Sequence, residues 1–248
     1  MLLGIPLFVL AVVCGGVFLS QQLWSDYETN YKHDFDIAQE DINKVIFYNL
    51  SKTDAKLDEK IDNITKTQTK LTKNIGAYCK VDPLIKWQSF ISQNSNKIAK
   101  CNKRKDNLSV LLLDVGNLTG YLNAEQKLSV AILSANVNTN KNNKVEKWNK
   151  IETFWRQAIV DVSKLTDVKD FIIIEKLAVS KLGGVADAWQ QLSSANKTKN
   201  RQKFEEAQVN LENSYKGLSK VSENSKTQIK KIVTTINISY NVAFSANQ

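Results

Sequence analysis

The side chains with the clearest chemical potential in this sequence are Cys79 and Cys101, two of its three cysteines. In an oxidising compartment such a pair predicts one disulfide, which closes a loop of about 22 residues. Pro83 favours this pairing because it breaks the helix after Cys79, and the polar run 92–96 offers a second chain reversal. Two unrelated buried thiols are the alternative interpretation.

The other reactive side chains form no recognisable catalytic or metal-binding pattern. His33 is the only histidine, and together with two cysteines it gives no zinc-ligand spacing. The glycine pairs lie outside any phosphate-binding motif, and the carboxylates are spread along the chain. We therefore expect no enzyme activity, no metal and no cofactor.

Aromatic residues at helical spacing offer one further site, a ligand pocket inside a helical bundle. Core packing is the more common use of such residues, so the pocket is an alternative to it. The residues concerned are Trp87, Phe90, Trp148, Phe154, Trp155 and Trp189.

The elements that must position these side chains are helices. Only two prolines and nine glycines occur in 248 residues, whereas all-β folds use many turns that draw on both. Hydrophobic residues make up 42% of the chain and charged residues 24%, which excludes a disordered protein. The composition predicts an all-α fold.

The first residues, Met1 to Leu19, form an uncharged apolar run. As a helix it spans about 28 Å, close to the thickness of a bilayer core. Trp24 and Tyr27 follow where aromatic rings sit at headgroup depth. A basic start and a good cleavage site are both missing, so a retained anchor is favoured over a cleaved signal peptide. We predict a transmembrane anchor over residues 1–24 and one further domain over 25–248.

The predicted location of that domain follows from its first charges. No cation occurs before Lys32, so nothing holds this side of the anchor in the cytoplasm. A disulfide also requires an oxidising compartment. We expect the bulk of the chain to be extracytoplasmic, in a bacterial periplasm or at a cell surface.

Two long helices are predicted from heptad spacing, one from Leu50 to Tyr78 with an extension back to Phe35, the other from Phe204 to Ile236. Packed antiparallel, they predict an elongated helical bundle or coiled coil, in which Ile61 and Ile64 meet Leu211, Tyr215 and Leu218. The predicted interaction seam consists of Leu57, Ile61, Ile64, Leu71, Ile75, Leu211, Tyr215, Leu218, Ile229 and Ile232.

Shorter helices are predicted between the two long ones, over residues 108–133, 145–165 and 168–192. The asparagine-rich stretch 134–143 is predicted to be a loop and 193–200 a turn. Thr166 and Asp167 are typical of a capped helix start, and Gly183 and Gly184 predict a kink.

The net charge is +9, and almost all of the cations are lysines. The only arginines are Arg104, Arg156 and Arg201, and one dense basic run occurs, at 100–105. Specific nucleic-acid recognition favours clustered arginines, so we expect none. Weak attraction to anionic lipid or to an anionic envelope polymer remains open.

These features favour a membrane-anchored helical scaffold or interaction subunit of an envelope-associated complex, with protein partners or self-assembly. A ligand-binding bundle of the sensor type is the first alternative, an analogy of architecture alone. A helical pore-forming toxin is the second, and it fits less well because a toxin must be soluble before it inserts.

Overall fold

In the computed structural model, every element of the described residues is helical, which confirms the predicted all-α class. The described residues are 4–51, 56–86, 92–142, 144–165 and 168–245, with side chains from Phe18 onwards. They divide into two compact units, Met1–Val115 with Ile236–Gln248, and Gly116–Thr235. The single domain predicted over residues 25–248 stays a prediction.

The helices vary widely in length. The longest, α5 and α8, have 50 and 44 residues and contribute to both units. The bounds are α1 Gly4–Asp41, a π-helical segment Ile42–Phe47, α2 Tyr48–Ser51, α3 Leu57–Ile75, α4 Pro83–Lys86, α5 Ser92–Lys141, α6 Trp148–Val162, α7 Ile172–Lys197 and α8 Arg201–Phe244.

Helix α3 is amphipathic and buries one face in the first unit. Acidic Asp58 and Glu59 lie in its first turn, where the helix dipole favours negative charge. The helix contacts the π-helical segment and α2, and Gln68 Nε2 donates a 3.1 Å hydrogen bond to the carbonyl oxygen of Leu112 on α5. Its buried residues are Ile61, Ile64, Leu71 and Ile75.

The chain is not helical throughout the first predicted long helix. Helix α2 ends at Ser51, and Lys56 has the extended ψ of 137° before α3 begins at Leu57. Leu50 and Leu57 are seven residues apart in the sequence, so their spacing matches a heptad although the chain between them is not one continuous helix. Asp54, a predicted heptad position, lies outside the described residues.

Most of the predicted anchor belongs to α1, but its side chains before Phe18 lie outside the described part. Within the part that was described, no helix is both long and apolar enough to cross a membrane. Trp24 and Tyr27 are 6% and 7% exposed, with their rings 5.5 Å apart in an edge-to-face contact. Both rings therefore pack into the first unit rather than standing free at a headgroup layer.

In the second unit, α6 packs along α7. Ile151, Trp155 and Val162 of α6 are buried, as are Leu182 and Val185 of α7. Their spacing matches helical periodicity, so each helix turns an apolar face to the core.

Gly183 and Gly184 do not interrupt α7, which is continuous from Ile172 to Lys197. Gly184 serves close packing instead. A Cβ added there would lie 3.2 Å from Ser214 Oγ on α8.

The asparagine-rich stretch 134–143 is the clearest wrong prediction, because α5 continues as a helix to Lys141. Ala135 and Thr139 are buried in this stretch. Thr139 Oγ1 donates to the Ala135 carbonyl oxygen and accepts a 2.9 Å hydrogen bond from Trp155 Nε1. Tertiary packing therefore overrides the weak helix propensity of the asparagines.

Candidate interaction surface and disulfide

The predicted disulfide is present in the first unit. The Cys79 and Cys101 Cα atoms are 5.7 Å apart, and the bond joins the turn after α3 to Cys101, a buried residue of α5. Two backbone hydrogen bonds form this turn, from Ala77 to Asn74 and from Tyr78 to Ile75. Cys79 has a φ of 63°, a left-handed conformation that reverses the chain before Pro83.

The side chains around the disulfide form a packed layer between α1, α5 and the turn. The rings of Phe35 and Tyr78 meet edge to face at 5.4 Å, and the Arg104 guanidinium lies 4.6 Å from the centre of the Phe35 ring. Burial raises the pKa of Tyr78, and the negative charges of Asp34 and Asp41 add to this effect. Arg104, the one arginine of the basic run 100–105, is therefore turned inward.

The predicted seam residues fall into both units. Leu57, Ile61, Ile64, Leu71 and Ile75 lie on α3 in the first unit. In the second unit, Tyr215 accepts a 3.3 Å hydrogen bond from Trp189 Nε1 and packs edge to face on Trp155. Contact between the two sets remains a prediction. The other seam residues in the second unit are Leu211, Leu218, Ile229 and Ile232.

Within the first unit, α5 and α8 run side by side in opposite directions. Asn107 Nδ2 donates a 3.3 Å hydrogen bond to the carbonyl oxygen of Val242, and Ser239 Oγ donates a 2.5 Å hydrogen bond to Asp114 Oδ2. As residue numbers rise along α5, their partners' numbers fall along α8. The two helices are therefore antiparallel here.

A patch of exposed apolar side chains lies along this pair of helices. Val110 and Leu113 on α5 are 54% and 64% exposed, and Ile238 and Val242 on α8 are 60% and 51% exposed. Helical periodicity places these four, which we call the α5/α8 patch, on the sides that face away from the core. The patch is a candidate surface for a protein partner, because apolar side chains exposed together on neighbouring helices are typical of interaction sites.

One feature of the sequence predicts this patch, although it lies outside the predicted seam. Residues 110–113 read Val-Leu-Leu-Leu, four consecutive apolar side chains on one helix. A single helix face cannot bury all four, since successive residues turn by about 100°. Leu111 and Leu112 are buried, whereas Val110 and Leu113 are left exposed.

Three of the aromatic residues that the sequence offers as a pocket, Trp148, Trp155 and Trp189, pack against other rings. Trp148 lies edge to face with Trp189 at 6.0 Å and stacks on Phe204 at 5.9 Å, all in the second unit. Core packing therefore accounts for these rings. Trp87 and Phe90 lie outside the described residues.

Among the residues that the structure describes, no group of three or more acidic, histidine or cysteine side chains is placed to hold a metal ion. No protein-family model matches the chain, and no curated protein and no solved structure is found to be similar to it. Its function must therefore be argued from its own residues and geometry.

Proposed function

We propose that this chain is a membrane-anchored, extracytoplasmic helical scaffold, an interaction subunit that binds a protein partner or a second copy through the α5/α8 patch. The single observation that carries the proposal is the exposure of four large apolar side chains on two neighbouring helices. Each of these residues leaves roughly half or more of its surface in water. Burying one apolar side chain of this size contributes about 1.5–3 kcal/mol. Binding of a partner over the patch would therefore be stabilised by the hydrophobic effect.

The anchoring half of the proposal is supported by the sequence. Residues 1–19 carry no charge, and the first ionisable side chain after them is Asp26. The disulfide between Cys79 and Cys101 supports the extracytoplasmic half, since such bonds persist in oxidising compartments. Together these features favour a chain held at a membrane with its two helical units outside the cytoplasm.

Deleting residues 1–19 is expected to move the protein from the membrane fraction to the soluble fraction, and it keeps Trp24, which packs into the first unit. The deletion removes the apolar run, and the heptads of α3 and α8 lie beyond it. Cell fractionation followed by immunoblotting measures the change, and circular dichroism shows whether the shortened chain remains helical. An intact chain that is soluble without detergent and lyses lipid vesicles would contradict the proposal and support a toxin.

A photo-reactive residue tests the interaction surface directly. We expect Leu113→benzoylphenylalanine, irradiated in intact cells, to give a discrete adduct of higher mass, because position 113 would lie against the partner. Mass spectrometry of the adduct distinguishes a second copy of this chain from another protein. The matched control is Ile173→benzoylphenylalanine, since Ile173 is 76% exposed but lies on α7 in the other unit.

A second change on the same patch makes the result specific. Adding Ile238→Asn should abolish the adduct formed from position 113, because the two residues lie on neighbouring helices of one surface. Adding Val209→Asn, at a 57% exposed position of the second unit, should leave it unchanged. Equal adducts from positions 113 and 173, or none from position 113, would refute the proposed surface.

A further inference from the structure

The two cysteines of the disulfide differ in their access to solvent. Cys79 is partly exposed, whereas Cys101 is completely buried. Cys79 also lines a cleft of about 540 Å³ between the segment that follows α3 and the first turns of α5. A thiolate that attacks a disulfide must reach the sulfur to which it bonds. Cys79 is therefore the cysteine open to a thiol from solution, and Cys101 is the one that would leave.

This cleft has the size and the charge that suit an anionic peptide thiol. Its volume lies within the range of small-molecule sites, which is about 300–1,000 Å³. Lys86 is an exposed cation that lines it, and Asn102 is a polar side chain from α5. Among the described residues that line the cleft, none carries a carboxylate. Glutathione, a tripeptide thiol, has a net negative charge at neutral pH, which Lys86 would attract.

The backbone at Cys79 favours opening of the disulfide. Its φ of 63° is a left-handed conformation, which is unfavourable for residues other than glycine. The disulfide ties this residue to α5, so breaking the bond allows the turn to relax. Relief of this strain favours the state in which Cys79 carries another thiol instead of Cys101.

A buried cation lies on the same helix face as the leaving cysteine. Arg104 follows Cys101 by three residues on α5, and both side chains are buried. Residues at this spacing share a face, and the side chain of the later one leans towards the helix N-terminus, over the earlier one. The Arg104 guanidinium packs on Phe35, whose ring contacts Tyr78 beside Cys79. One packed layer therefore contains the arginine and both cysteines.

Arg104 lacks a negative partner among the described residues. Its Nε makes no hydrogen bond to any described group, and no described carboxylate forms an ion pair with it. A buried charge is costly unless an opposite charge accompanies it. A thiolate at Cys101 would supply that charge, and a neighbouring arginine stabilises a thiolate. Because a stabilised thiolate leaves a disulfide faster, Arg104 is placed to assist the departure of Cys101.

We propose that Cys79 is a modification site for a small anionic peptide thiol such as glutathione. The thiol first loses its proton to solvent, and its sulfur then bonds to the Cys79 sulfur. The bond between Cys79 and Cys101 breaks, and its electron pair leaves with Cys101 as a thiolate beside Arg104. One disulfide replaces another, so no further oxidant or reductant is required. This inference goes beyond the scaffold proposal and does not depend on the α5/α8 patch.

The position of the first adduct tests the proposal in the wild-type chain. Oxidised full-length protein in nonionic detergent is exposed briefly to reduced glutathione, quenched with acid, digested with pepsin and mapped by mass spectrometry. We expect glutathione on Cys79 and a free thiol at Cys101, in at least about tenfold excess over the reverse. In denaturant the two positions should react about equally, because the preference arises from the fold. Equal modification in the folded chain, an adduct mainly at Cys101, or no adduct at either position would overturn the proposal.

Variants of Arg104 test its part in the exchange. Arg104→Met, which keeps an unbranched side chain but removes the charge, is expected to slow the first exchange about fivefold. Arg104→Lys should restore most of the rate, because it returns a positive charge to the same position. The matched control is Lys103→Met, since Lys103 is an exposed cation at the preceding position of the same helix. This control should exchange at the wild-type rate.

The direction of the change distinguishes assistance from a purely structural role. If Arg104 only supported packing, Arg104→Met would loosen the layer around the disulfide and make the exchange faster. Thermal melting of the oxidised variants measures any such loosening. Slower exchange in an Arg104→Met chain that melts no higher than the wild type would support the assisting role. Faster or unchanged exchange in that variant, or an equal slowing in Lys103→Met, would contradict it.

Discussion

A chain in which Cys79 and Cys101 are both replaced by serine is expected to melt about 6–12 °C below the wild type. The disulfide closes a loop with a sequence separation of 22, and a loop of that size contributes about 3 kcal/mol by restricting the unfolded chain. For a protein of this length, each kcal/mol corresponds to about 2–4 °C in Tm. The double replacement avoids leaving a single reactive thiol.

The backbone conformation of Cys79 limits the effect of removing the disulfide. Cys79 adopts a left-handed backbone conformation, which costs a residue other than glycine about 1–2 kcal/mol. The bond to the buried Cys101 helps to hold that conformation. Without it, the turn after α3 loses its covalent link to α5 and is free to relax, which recovers part of this cost.

Calorimetry of the oxidised wild type, the reduced wild type and the serine variant checks this prediction. The reduced protein should have the same Tm as the serine variant, because both lack the same covalent constraint. Cys14→Ser is the matched control, since Cys14 lies in the apolar run and is expected to pair with nothing. Free thiols at positions 79 and 101 in protein isolated from its native compartment would contradict both the disulfide and the extracytoplasmic location.

Much of the helical structure could be predicted from periodicity alone. The stripe through Ile61, Ile64, Leu71 and Ile75 identified α3, and the similar stripe beyond Phe204 identified α8. The disulfide could be predicted because Pro83 forces a reversal between its two cysteines. These signals are local, so they need no knowledge of what packs against them.

The features that could not be predicted from the sequence depend on contacts between distant residues. Residues 134–141 are helical because Trp155, farther along the chain, hydrogen-bonds to Thr139. Arg104 on α5 packs against the ring of Phe35 on α1, a contact between distant residues that no local pattern reveals.

Ile64 on α3 is a core position with a large expected effect. Ile64 is completely buried, and its helix contacts the π-helical segment and α2 of the same unit. Ile64→Ala should destabilise the protein by about 2–5 kcal/mol, through lost burial and the cavity left behind. Ile64→Asp should cost more, because an unpaired carboxylate would then have to be buried or ionised in an apolar site.

The matched control for Ile64→Asp is Thr72→Asp. Thr72 is an exposed residue of the same helix, so this change adds the same charge outside the core. Surface substitutions usually change the free energy of unfolding by no more than about 0.5 kcal/mol. We therefore expect Thr72→Asp to have the same Tm as the wild type. A large loss of stability in both variants would show that charge on α3, rather than burial of Ile64, is responsible.

Oligomer mass, measured by light scattering in detergent beside the melting temperature, separates two roles for the α3 stripe. If Ile64 packs within its own chain, Ile64→Asp lowers the melting temperature even where the protein is monomeric. If the stripe instead faces a partner chain, the melting temperature of the monomer stays unchanged and assembly is lost. Burial of Ile64 within the single chain favours the first result. That result would favour the proposed α5/α8 patch over the predicted seam as a surface for assembly.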